Sequence, residues 1–130
     1  MNSELKLIEN WLLKVKQPVE NSPTLSNVET QIFRYRLAFE ELEEYRDACQ
    51  NGDIVEIFDS LLDQLYILLG TAHTHGLGKA MVEGFLEVHR SNMTKMDEHG
   101  NPIYNEYGKV VKSHLFEEPR LKELLEKIYS

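Results

Sequence analysis

Two strips of carboxylates at helical spacing are the parts of this 130-residue sequence most suited to chemistry. At 100° per residue, Leu37, Glu41, Glu44 and Ala48 lie within about 60° of one another, opposite a stripe of Val28, Ile32, Tyr35, Phe39 and Leu42. Glu56, Asp59, Asp63, Tyr66 and Gly70 form a second narrow strip, on a segment otherwise covered by Ile54, Ile57, Phe58, Leu61, Leu62, Leu65, Leu68 and Leu69. Like charges at i,i+3 and i,i+4 repel, and no lysine shares either strip. An acidic strip on so apolar a helix is costly unless a cation compensates it. Glu41, Glu44, Asp59 and Asp63 on two antiparallel helices would form an all-oxygen site suited to Mg²⁺ or Mn²⁺, whereas zinc would favour His and Cys. A ferritin-like di-iron centre would need Glu-x-x-His pairs, and none of His73, His75, His89, His99 or His114 has a Glu three residues before it. Glu40 and Glu43 read as solvated surface.

A second group of polar residues follows in "EVHRSNMTK", residues 87–95, where Arg90, Asn92 and Lys95 can hold an anion and Glu87 lies one turn from Arg90. The net charge of −8 is unevenly spread: residues 1–78 hold 6 Lys/Arg against 13 Asp/Glu (−7), residues 79–114 hold 5 against 5, and residues 115–130 hold 3 against 4. That balance lacks the basic footprint of nucleic-acid binding, so no nucleic-acid partner is expected. An acidic cluster can still receive an anionic ligand when a divalent cation lies between them. No apolar run is long enough to span a bilayer, and the first 16 residues lack the features of a signal peptide. Cys49 has no disulfide partner and fits a reducing, cytoplasmic compartment.

The elements that must position these residues follow from periodicity and punctuation. Leu5, Ile8, Leu12 and Val15 predict an amphipathic helix over 3–15, ended by the loop "KQPVENSPTLS". Ser26 or Asn27 would cap a second helix over 28–49, which "NGD" terminates, and Asp53 would cap a third over 54–75, closed by Gly76 and Gly78. A fourth is predicted over 79–92. Ile103–Tyr104 and Val110–Val111, separated by the turn-like "NEYG", predict a short β-hairpin, and Pro119 would start a final helix ending near Ile128. The expected fold is all-α: a single domain over 1–130, with a four-helix core, a short C-terminal β-hairpin and a terminal helix.

The blocks "FEELEEYRDA" (39–48), "DSLLDQLYILLGTAHTHGL" (59–77) and "EVHRSNMTK" (87–95), in that order, resemble the MazG-like and phosphoribosyl-ATP pyrophosphatase superfamily of all-α nucleoside triphosphate pyrophosphohydrolases. The trailing "GNPIYNEYGKVVKS" and the loop "QPVENSPT" are similar to those of a branch of small phage and bacterial members. The resemblance implies a bundle that assembles as a homodimer or homotetramer. It also implies Mg²⁺-dependent cleavage of a nucleoside triphosphate between its α- and β-phosphates. The family's EExxE element falls on Glu40, Glu41 and Glu44, with Glu41 and Glu44 as metal ligands. The second acidic element departs from the usual ExxD: "LYILLG" after Asp63 matches the segment after the family's ligand Asp, which puts Ser60 where a Glu would stand. Asp63 is therefore the first choice and Asp59 the second, with Glu56 open.

On this reading Glu40 or Glu44 serves as the catalytic base for an attacking water, and Arg90, Asn92, Lys95 and Lys109, with Lys112, bind the substrate's phosphates. The resemblance singles out Asn92 and Lys95 for contact with the nucleotide. The alternatives are a nucleotide-binding homologue without turnover and a structural helical partner.

Overall fold

Local capping chemistry sets the helix boundaries in the computed structural model, which describes residues 1–130. Helix α1 spans Asn2–Lys14, α2 Val28–Asn51, α3 Ile54–Thr74, α4 Met81–Met93 and α5 Leu121–Ile128; strands β1 (Ile103–Tyr104) and β2 (Val110–Val111) lie between α4 and α5. The Asn27 side chain accepts the Thr30 N–H at 2.8 Å, and Asp53 Oδ1 accepts from Val55 and Glu56, satisfying amide groups that the first turns of α2 and α3 leave without partners. Gly52 ends α2 in the left-handed region (φ 65°), so two residues suffice to reverse the chain. None of the helices is long and apolar enough to cross a membrane.

The chain forms two compact units, residues 1–79 and 80–130. In the first, α2 and α3 form an antiparallel hairpin and α1 packs on α3. Leu5, Ile8 and Leu12, the apolar face of α1, are buried with Leu69 and Ala72 of α3. The buried His73 ring donates from Nε2 to the Leu5 carbonyl at 2.7 Å, tying the two helices together. The loop after α1 is fastened to the end of α3: the Glu20 N–H reaches His73 O, the Thr24 N–H reaches His75 O, and the Thr74 hydroxyl donates to Pro18 O. Gly76 (φ 71°) permits this approach, since a Cβ there would lie 1.8 Å from Ser22 O.

The same unit leaves much apolar surface open. Val28, Ile32, Tyr35, Phe39 and Leu42 on α2 are exposed, as are Ile54, Phe58, Leu61, Leu65 and Leu68 on α3. Both sets advance by three and four residues, so each helix presents one continuous apolar stripe.

In the second unit, α4 packs on α5. The predicted hairpin forms with Ile103 opposite Val111 and Tyr104 opposite Val110, and Asn105 Oδ1 accepts the Tyr107 and Lys109 N–H groups across its turn. The expected four-helix core is thus distributed, with α1, α2 and α3 in one unit and α4 in the other. Three boundaries move by two residues from expectation, the first being the end of α2, which runs to Asn51 instead of 49. A 3₁₀ turn over Gly78–Ala80 precedes α4. Helix α5 starts two residues after Pro119, because Arg120 is non-helical (φ −89°, ψ 63°) and its N–H bonds to the Glu87 carboxylate at 2.8 Å.

Candidate metal centre

The short α2–α3 connection fixes the antiparallel register, and that register brings the two carboxylate strips face to face. Glu41, Glu44 and Asp63 each present a carboxylate oxygen within 4.8 Å of the others. Glu41 and Asp63 are half-buried, whereas Glu44 is exposed. No basic side chain pairs with any of them. Burial first, then the Glu44 carboxyl and the charges of Asp63 and Asp59, push the Glu41 carboxyl up to about 7. Asp63 is raised as well, by burial and then by the charges of Asp59 and Glu44.

Glu41 Oε2 is buried without a hydrogen-bond partner. An orphaned buried carboxylate oxygen beside two further carboxylates is a site of unsatisfied negative potential. Its donor set is all oxygen, which fits a hard divalent cation. The cluster can therefore hold such an ion, with Glu41, Glu44 and Asp63 as its ligands.

The remaining predicted acids lie outside this group. Asp59 is exposed, near enough for its charge to raise both Glu41 and Asp63. Glu40 and Glu56 are exposed, and Glu43 pairs with Arg46 on the solvent side. Ser60, at the position where an acid would complete ExxD, is buried and donates to the Ile57 carbonyl at 2.9 Å.

A proton on Glu41 is held more tightly in the folded chain (about 7) than in an unfolded one (4.5). The stability this group adds is present below pH 4.5 and is lost as pH rises through about 7. Metal-free protein should therefore show a melting temperature that declines across that window, and Glu41→Gln should flatten the decline. A divalent ion competes with the same proton. A rise in melting temperature produced by a divalent cation at this cluster is accordingly expected to grow between pH 6 and pH 8 in the parent, which thermal melts with and without added Mg²⁺ would read.

In the second unit, Arg90 is occupied by protein carboxylates. Its Nε and Nη2 donate to the two Glu87 oxygens and its Nη1 to Glu117, each at 2.8 Å. The Arg90 hydrogen bonds, followed by the Arg120 backbone N–H, pull the Glu87 carboxyl down to about 2, and Glu87 and Glu117 in turn hold Arg90 firmly charged. Arg90 thus clamps α4 to the segment entering α5. Asn92 is exposed on α4. Lys95, Lys109 and Lys112 converge with Asn105 on a cavity of about 360 Å³ beside the hairpin. The Lys112 ammonium also reaches Glu118 at 3.2 Å and lies 4.6 Å above the Phe116 ring.

Arg34 is a residue that sequence reasoning did not single out. It is 7 % exposed, donates from Nε to Thr71 Oγ1 at 2.9 Å and from Nη2 to Ile67 O at 2.7 Å, and has no carboxylate partner; burial lowers its pKa. The signal was available: Arg34 stands seven residues before Glu41, on the carboxylate strip of α2.

The comparisons with known proteins agree with this arrangement. The family model described as phosphoribosyl-ATP pyrophosphohydrolase matches residues 12–92, from the end of α1 through α4 and including every acid of the cluster. No curated protein matches the chain. The match covers more than half of the sequence, and the chain belongs to the phosphoribosyl-ATP pyrophosphohydrolase family, within the MazG-like all-α pyrophosphohydrolase superfamily.

Proposed function

We propose that the protein is a Mg²⁺-dependent nucleoside triphosphate pyrophosphohydrolase that cleaves between the α- and β-phosphates, giving a nucleoside monophosphate and pyrophosphate. The observation that carries this reading is the half-buried Glu41 carboxylate, its Oε2 buried without a hydrogen-bond partner, grouped with Glu44 and Asp63 in a chain of this family. When bound, a divalent ion supplies charge neutralisation and polarisation of the phosphate oxygens.

The chain's own groups supply the rest. Glu41, Glu44 and Asp63 would hold the ion, and Asp59, exposed beside them, adds negative potential at the rim. A free carboxylate oxygen on exposed Glu44 would accept a proton from the attacking water, with exposed Glu40 as the alternative acceptor. Within the second unit, Lys95 and Lys109, with Lys112, form a group able to take phosphate oxygens, and Asn92 is a candidate for a neutral contact. Arg90 was expected to do the same, but its guanidinium is already held by Glu87 and Glu117. Its part is to keep the α4 end, and hence Asn92 and Lys95, in place.

A second copy of the chain belongs to this reading. The exposed stripes of α2 and α3 have the spacing of bundle interfaces, and two such hairpins joined face to face make a four-helix bundle. The free, exposed Cys49 suits a reducing, cytoplasmic setting.

The test is a product assay with Mg²⁺ and a panel of ribo-, deoxyribo- and modified triphosphates, read by phosphorus NMR or ion exchange. Monophosphate plus pyrophosphate, abolished by EDTA, is the expected result. Joint stabilisation by Mg²⁺ and nucleotide with no product would instead make the protein a non-catalytic binder.

A further inference from the structure

We propose that the cavity bounded by Trp11 of α1, Phe33 and Leu37 of α2, and Tyr66 and Gly70 of α3 receives a 6-oxopurine base, with Arg34 as the residue that selects it. This rests on the nucleotide reading above and deepens it to a substrate class. The cavity is about 300 Å³, the lower end of the range for small-molecule sites. It follows the carboxylate strips: Leu37 precedes Glu41 by four residues and Tyr66 follows Asp63 by three, so its near edge lies about 6 Å along the helix axis from the acid cluster. A base seated there leaves its phosphates pointing toward Glu41, Glu44 and Asp63.

The walls favour a flat ring over a phosphate. Trp11 and Tyr66 meet edge to face with centroids 6.5 Å apart, and Phe33 adds a third ring, all three partly exposed in this chain. An anion stripped of water there would find one cation and little else. Arg34 donates only two of its five N–H groups to the protein, from Nε and Nη2. Its terminal nitrogens lie over Gly70, a wall of the cavity, where a Cβ would stand 2.6 Å from Nη2 and 3.7 Å from Nη1. The two Nη groups keep donors free in fork geometry. Two adjacent acceptors match such a fork, as O6 and N7 of guanine do. Adenine offers a donor at position 6, and uracil has no adjacent acceptor pair; cytosine has one in O2 and N3, but on a single ring that gives the aromatic walls less surface. Gln17, also lining the cavity, has an amide able to accept the base N1–H.

Trp11 is the only tryptophan, so its fluorescence reports base entry directly. The full chain in EDTA is titrated with GMP, IMP, AMP, CMP, UMP, 7-deaza-GMP and inorganic phosphate. GMP and IMP are expected to quench Trp11 with dissociation constants at least about tenfold below that of AMP, 7-deaza-GMP losing most of the advantage. Arg34→Met should level the series, and Arg34→Lys, which keeps the charge without the fork, should not restore it. The proposal is overturned if AMP binds as well as GMP, if inorganic phosphate alone gives the same quench, if no nucleotide quenches, or if folded Arg34→Met keeps the preference. Should that variant fail to fold, the 7-deaza comparison in the parent decides. GMP preference without pyrophosphate release from GTP and Mg²⁺ would sink the catalytic reading and leave this one standing; turnover of triphosphates with no 6-oxopurine preference would do the reverse.

Discussion

Glu44→Gln is expected to lower EDTA-sensitive pyrophosphate release by at least about 100-fold while leaving the fold intact, since removing a group that holds or serves a catalytic metal forfeits most of the ion's contribution. The substitution removes a charge but keeps the shape. Glu44 is exposed, and it helps to raise both Glu41 and Asp63, so its neutralisation relieves repulsion in the metal-free chain. The metal-free melting temperature should therefore stay level or rise as activity falls. Asp63→Asn should behave alike. Glu40→Gln separates two assignments: a proton acceptor at Glu40 predicts lost turnover with the Mg²⁺-induced stabilisation retained, whereas a bystander predicts neither change. Near-normal turnover in Glu44→Gln, with circular dichroism confirming the fold, would remove Glu44 from the mechanism.

Leu68→Glu tests the proposed second copy, with a small expected effect for a monomer and a large one for a bundle of two chains. Leu68 is 58 % exposed in the single chain, and an exposed substitution of this kind changes monomer stability by only about 0.5 kcal/mol or less. In a face-to-face bundle the same residue is buried, and an unpaired carboxylate there costs several kcal/mol, enough to weaken association by roughly 100-fold or more. Sedimentation velocity should show the parent as a dimer or larger and the variant as a folded monomer with reduced activity. A parent that sediments as a monomer at micromolar concentration would end this reading.

Features set by neighbours in sequence were the legible ones. Asn27 and Asp53 cap the helices they precede, Gly52 ends α2, and the strands pair around "NEYG", because each depends on a few adjacent residues. The acid group was legible for a related reason: two helices joined by two residues can hardly avoid facing each other, so strips on each identify the meeting point. What depends on distant packing was not. Its place on the carboxylate strip points Arg34 toward α3, but nothing in the sequence names Ile67 and Thr71 as its partners, nor does Trp11 announce a shared cavity with Phe33 and Tyr66. Arg90 looked free for an anion, and Glu117, 27 residues away, helps to claim it. The apolar stripes posed a different difficulty. Periodicity records that a face is covered, and it reads the same whether the cover is the chain itself or another molecule.

The two-residue link at Gly52 and Asp53 also bears on how the protein folds. With so short a connection, the α2–α3 contacts close almost no loop, and helical pairs of this kind form fast. The hairpin should thus be an early species, assembled while its leucine-rich face is still wet. If a second copy is what covers that face, the later phase of refolding is bimolecular, and its rate should climb with protein concentration while the early helical signal does not.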